Sequence, residues 1–124
     1  MDRLEEMFAL QKAFNDSIIK TRRLEHISAG EWMQKHTLAL MCEMAEMLEE
    51  VNYKWWKNQK PVDEAALKEE LVDILHFFVS MCVKTGMDAE ELYQRYVAKN
   101  QVNFLRQQGL TDKPGYAVEP ESAP

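Results

Sequence analysis

Residues 67–82 read LKEELVDILHFFVSMC, and the spacing of apolar and acidic positions in this stretch decides the fold class. At 100° per residue, Leu67, Leu71, Ile74, Leu75, Phe78 and Cys82 share one broad stripe, the pattern of a helix with a core-facing side. Glu70, Asp73 and Phe77 fall together on the adjacent edge, beside that stripe rather than opposite it. Residues 40–50, LMCEMAEMLEE, repeat the arrangement. Leu40, Met41, Met44 and Leu48 form the apolar face there, and Glu43, Glu46 and Glu50 flank it. Acids beside a core stripe would face a neighbouring helix, where uncompensated burial is costly.

Working outward, the punctuation predicts four helices. The first covers about 3–22, with Leu4, Met7, Phe8, Phe14 and Ile18 at helical spacing. Ser28 and Glu31 match the capping-box spacing and open a second helix running to about Tyr53. KNQKPVDE (57–64) is a loop in which Pro61 stops one helix and Asp63 caps the next, over about 64–85, with Gly86 beyond its end. Asp88 opens a fourth helix at about 89–108. No strand of convincing length and no repeat occurs. The expectation is an all-α protein with a four-helix bundle core over 1–110 and a flexible, partly disordered C-terminal tail over 111–124.

The composition bounds the function. The chain has 124 residues, 46% of them apolar, and a net charge of −6, which argues against a basic nucleic-acid-binding surface. Cys42 and Cys82 lie in Met- and Leu-rich helical patterns and read as buried thiols without zinc-type spacing. The N-terminus is acidic and amphipathic, unlike a signal peptide, and no apolar run reaches membrane-spanning length, so a cytoplasmic location without membrane association is expected. With 8 Met, 3 Trp, 4 Tyr and 5 Phe in so short a chain, a homodimer, or a tetramer, is expected to cover apolar surface.

Two helices that each offer an E-x-x-acid pair, Glu43/Glu46 and Glu70/Asp73, can supply four oxygen ligands to hard cations such as Mg²⁺. An ordinary charged helix surface explains any one such pair. A di-iron site is disfavoured because it would want E-x-x-H on two helices, and this chain has no E-x-x-H. His76 reads as a packing or supporting residue, and His26 and His36 as surface histidines. Lys99, Asn103 and Arg106 recur at i, i+4 and i+7 on the fourth helix as phosphate-suited donors, or as a solvated basic face. Gln11 and Asn15, one turn apart on the first helix, carry amides able to match the mixed donor and acceptor edge of a pyrimidine. Trp55 and Trp56, in YKWWK, lie in an expected loop where an indole can stack on a base.

Taken together, these residues resemble the all-α nucleotide pyrophosphatase (MazG-like) superfamily, whose signature is E-x-x-E followed by E-x-x-D. Within it the chain is most similar to the dimeric dUTPases, through LQKAFND (10–16), YKWWK (53–57), EELVDILHFFVS (69–80) and KNQVNFLRQ (99–107). The resemblance implies that Glu43, Glu46, Glu70 and Asp73 hold Mg²⁺ on the phosphate chain of a nucleotide. It also implies that Gln11 and Asn15 read uracil, with Trp55 or Trp56 closing over it. Phe77 would pack on the sugar and disfavour a 2′-hydroxyl, while Lys99, Asn103 and Arg106 would bind phosphates. The implied reaction is hydrolysis of dUTP, and of dUDP, to dUMP. A related enzyme acting on dCTP or a non-canonical nucleotide, and a non-enzymatic helical module, are the alternatives. The chain departs from the family in lacking its inserted segment and in its closing Gly-Tyr, which is either delayed to Gly115-Tyr116 or has its Tyr replaced by Leu110.

Overall fold

The computed structural model describes residues 1–118. All regular structure among them is helical: α1 Arg3–Arg22, α2 Ala29–Glu50, α3 Glu64–Lys84 and α4 Ala89–Gln107. The all-α class and the four helices expected from the sequence are both present.

Local chemistry explains the boundaries. Asp2 caps α1 by accepting from Glu5 N at 2.8 Å, and the Glu5 carboxylate accepts from Asp2 N at 3.1 Å, a full capping box. Ser28 caps α2 by accepting from Glu31 N at 3.2 Å; its hydroxyl donates to the Glu31 carboxylate, so the reciprocal bond runs side chain to side chain. Asp63 caps α3 through Ala66 N at 3.1 Å, and Gly86 follows its end at φ 80°, as read from the sequence.

The end of α2 differs from expectation. It stops at Glu50, short of Tyr53, because Asn52 turns left-handed at φ 54°. The Asn52 amide then brackets the loop that follows, donating to Lys60 O at 2.7 Å and accepting from Lys60 N at 2.9 Å.

The chain divides into two units, Met1–Asp88 and a second beginning at Ala89. In the first, α3 makes its larger contact with α2 and a smaller one with α1. The buried residues of this unit are Phe8, Val79 and Cys82, together with Gln11, His36 and Ser80. Burying an apolar side chain such as Val79 or Phe8 stabilises by about 1.5–3 kcal/mol, so the apolar core is modest and half of the buried set is polar.

The stripe expected to form the core is buried only in part: on α3 Cys82 is buried and Leu67 and Ile74 are half-buried. Leu71, Leu75 and Phe78 on α3 are 50%, 39% and 42% exposed, and Met41, Met44 and Leu48 on α2 are similarly open. The helix contact uses the edge carrying Asp73, Phe77 and Ser80 instead. An apolar band this broad cannot be covered by one neighbour, and helical periodicity gives its position but not its partner. Cys42 is exposed rather than buried, and His36 is buried rather than at the surface.

In the second unit, α4 ends in a turn at Gly109 (φ 72°), and residues 108–118 form no further helix. The rest of the expected tail, residues 119–124, lies outside the described residues. No helix among the described residues is long and apolar enough to cross a membrane.

Candidate active site

The two acidic pairs meet. Ligand-capable oxygens of Glu43 and Glu46 on α2 and of Glu70 on α3 all lie within 4.8 Å of one another. Asp73, one turn after Glu70, is half-buried in the wall of the same cavity as Glu43 and adds to the negative field there. Glu46 is exposed, whereas Glu43 Oε2 and Glu70 Oε2 are shut off from solvent with no donor supplied by the described residues. Two ionised carboxylates cannot satisfy each other, but one shared proton can bridge them. Glu43 accordingly has its pKa pushed up from 4.5 to about 7, first by hydrogen bonding with Glu70, then by desolvation and by the charges of Glu46, Asp73 and Glu70. The oxygen donors, their proximity and the two orphaned atoms fit a hard divalent cation such as Mg²⁺.

Beside this cluster lies a cavity of about 620 Å³ enclosed by α1, α2 and α3, in the size range of small-molecule sites. On α3 its wall runs Asp73, Phe77, Ser80, Lys84, at steps of four, three and four residues, with His76 beside Phe77, which is one edge of a helix. On α1 it is Phe14 flanked by Gln11 and Asn15, and on α2 it is Glu43, His36 and Trp32. His36 stacks on Trp32 with ring centroids 5.2 Å apart and faces Phe77 at 6.3 Å. Lys84 Nζ stands 5.2 Å over the Trp32 ring. Burial, and then the Lys84 charge, lower the pKa of His36 and favour the neutral imidazole, and its buried Nδ1 finds no partner among the described residues.

Gln11 and Asn15 sit in a closed hydrogen-bond circuit. His76 Nδ1 meets Gln11 Oε1; Gln11 Nε2 donates to Asn15 Oδ1 at 3.0 Å; Asn15 Nδ2 donates to Ser80 Oγ at 3.0 Å. Ser80 Oγ in turn donates to His76 O at 2.8 Å. His76, read from the sequence as a supporting residue, supports the amide pair.

The other candidates lie in other segments of the chain. Trp55 and Trp56 pack edge to face at 4.6 Å in the loop after α2, 82% and 58% exposed, and neither lines the cavity. Lys99, Asn103 and Arg106 share one line of α4 in the second unit, the first two exposed and Arg106 half-buried.

Sequence reasoning missed Trp32, His36, Ser80 and Lys84 as wall residues. Ser80 and Lys84 were within reach, because continuing the Asp73–Phe77 edge along α3 by helical steps arrives at both. Trp32 and His36 carried no such signal, since an aromatic and a histidine one turn apart are ordinary helix-packing residues.

A family model described as dUTPase matches residues 3–87, nearly all of the first unit. The chain belongs to the all-α dUTPase-like family. It is also similar to two phage dCTP pyrophosphatases. With that of Enterobacteria phage LZ5 it is 34% identical over 104 residues, 82% of this chain and 60% of the relative. With that of Enterobacteria phage T4 it is 51% identical over 47 residues, 38% of this chain and 28% of the relative. A shorter stretch is 50% identical over 40 residues to a phage T4 DNA replication protein, 32% of this chain and 10% of that one. The chain thus spans three-fifths or less of the length of these curated relatives. No solved structure gives a significant match. This family places the E-x-x-E and E-x-x-D reading within the all-α nucleotide pyrophosphatase group.

Proposed function

We propose that this dUTPase-like protein hydrolyses dUTP, and dUDP as well, to dUMP in an Mg²⁺-dependent reaction that releases pyrophosphate from the triphosphate. The observation that carries this reading is the junction of two unlike surfaces in one cavity. At one end stand the converging carboxylates, with two buried oxygens that have no donor among the described residues. Along the wall beside them stand the two amides of α1.

In this reading Glu43, Glu46, Glu70 and Asp73 hold the cations. When bound, Mg²⁺ would neutralise charge on the phosphate chain and make water a better nucleophile. The protein's own part is to present those oxygens on two packed helices, so that little reorganisation is needed when charge develops. Phe77, half-buried in the wall between Asp73 and Ser80, packs on the deoxyribose and sets an apolar ring where a 2′-hydroxyl would stand. Gln11 and Asn15 bond the edge of the base. The exposed Trp55–Trp56 pair, on a loop tied at its base by Asn52 and Lys60, is the segment that closes over it. The family resemblance assigns the phosphate contacts to Lys99, Asn103 and Arg106 of α4. The same reading makes the protein a cytoplasmic homodimer, or a tetramer, whose interface covers the open apolar faces of α2 and α3.

A second reading has one specific observation in its favour, the two relatives described as dCTP pyrophosphatases. Pyrophosphate release measured across dUTP, dCTP, dTTP, dATP and dGTP with Mg²⁺ decides between them. Turnover of dUTP well above the others is the expected result. Cleavage of dCTP with dUTP left intact replaces the first reading by the second, and cleavage of none removes the pyrophosphatase reading.

A further inference from the structure

We propose that His76 sets the orientation of the Gln11 and Asn15 amides, and thereby which pyrimidine the cavity reads. The inference rests on the nucleotide-hydrolysing reading above and assigns a specificity-determining role to a wall residue that acts through the two amides.

The two ends of a primary amide differ little in size, so only hydrogen-bond partners decide which end points where. In this cavity the partners form a directional circuit. Gln11 Oε1 can only accept, so His76 Nδ1, which meets it, carries the imidazole proton. Gln11 Nε2 then donates to Asn15 Oδ1, Asn15 Nδ2 donates to Ser80 Oγ, and Ser80 Oγ donates to the His76 carbonyl. Turning Gln11 alone would set its oxygen against Asn15 Oδ1 and its N–H against the N–H of His76. Turning Asn15 alone would set its N–H against that of Gln11. With Gln11 only 6% exposed, water is a poor substitute partner for the mismatched groups. The two amides and the imidazole tautomer therefore change together or not at all.

Ser80 weighs little on the direction: its hydroxyl accepts from Asn15 in one polarity and donates to it in the other, and the His76 carbonyl it would then release is still served by the backbone N–H four residues on in α3. Only the His76 ring nitrogen, donor in one tautomer and acceptor in the other, distinguishes them. With the circuit satisfied, each amide keeps one lone pair and one N–H for a ligand. Reversing the circuit exchanges their positions. Uracil offers N3–H as donor and O4 as acceptor; cytosine offers an unprotonated N3 and an amino donor at the same two places. The polarity that suits one base leaves polar groups unpaired on the other.

Three variants test this. His76→Leu removes the donor, His76→Asp places an acceptor-only oxygen where Nδ1 stands, and Ser80→Ala removes the partner that weighs least on the direction. The readout is kcat/KM for dUTP divided by that for dCTP. In His76→Leu the ratio should move at least ~10-fold toward one, and in His76→Asp it should reverse. In Ser80→Ala both values should fall with the ratio kept within about twofold of wild type. The Mg²⁺-induced rise in Tm without nucleotide should stay at its wild-type value in His76→Leu, which separates a positioning role from damage to the carboxylate end. Equal losses on both substrates in the two His76 variants, or a wild type that does not distinguish the bases, overturn the inference while leaving the hydrolase intact. A wild type that cleaves neither nucleotide instead overturns the proposed function, and the inference with it.

Discussion

Replacing Glu43 by Gln should make the metal-free protein more stable and catalytically inert at the same time. Glu43 is the carboxylate most disfavoured in its charged form: hydrogen bonding with Glu70, desolvation and the fields of Glu46, Asp73 and Glu70 together raise its pKa from 4.5 to about 7. At about 1.36 kcal/mol per pH unit, that displacement corresponds to at most about 3 kcal/mol of lost stability at pH 8. Solvent reaches the cluster through the exposed Glu46, and screening reduces the figure to about 1–2 kcal/mol. For a chain of this length the gain on neutralising Glu43 is on the order of 3–8 °C in Tm. The sign is set by linkage. A raised native pKa means the folded state binds the proton more tightly than the unfolded chain, so the contribution is fully present below pH 4.5 and is lost as pH rises through about 7. Metal-free wild type should therefore lose Tm between pH 5 and 8, whereas Glu43→Gln, which mimics the protonated acid, should not. The two proteins should converge near pH 4.5. Thermal melts by circular dichroism in chelator, paired with a pyrophosphate-release assay in Mg²⁺, measure both halves. Turnover of the variant should fall at least ~100-fold, since a ligand is lost. A variant that is no more stable than wild type at pH 8, or that gains as much at pH 5 as at pH 8, would refute the crowded-carboxylate account. Full activity would remove Glu43 from the site.

Mg²⁺ must displace the proton held by Glu43, so calorimetry should find its affinity rising by up to tenfold per pH unit below about 7 and levelling above it. A flat profile from pH 5.5 to 8 would place the binding elsewhere. Asn52→Ala removes both bonds that tie the Trp55–Trp56 loop at its base; trypsin should then cut at Lys54 or Lys57 several-fold faster with helix content unchanged. An unaltered rate would mean the bracket does not restrain the loop. Phe78→Asp places a charge in the open apolar face of α3 without touching the cavity. Light scattering should give a dimer or tetramer for wild type at micromolar concentration and a monomer for the variant. A monomeric wild type would leave that face without a self-partner.

Residues 67–82 and 40–50 determined by themselves that this is a helical protein and that its acids stand beside, not opposite, the apolar stripes. Those are statements about angles around a single helix axis, and helical periodicity supplies them directly. The helix ends were nearly as legible, because Ser28, Asp63 and Gly86 act on backbone groups within a few residues. Asn52 ended α2 early by turning left-handed, and the bonds of its amide to Lys60, eight residues on, are encoded by no local pattern. Tertiary structure decided which side of each helix turned inward. The edge carrying Asp73, Phe77 and Ser80 went to the neighbours, and Leu71, Leu75 and Phe78 stayed open in the single chain. It also decided that His36 is buried against Trp32, and that His76 and Ser80, each 65 residues along the chain from its amide partner, complete the circuit around Gln11 and Asn15. Local spacing reports which residues share a face. What that face meets depends on how α1, α2 and α3 pack, and only the folded chain contains that.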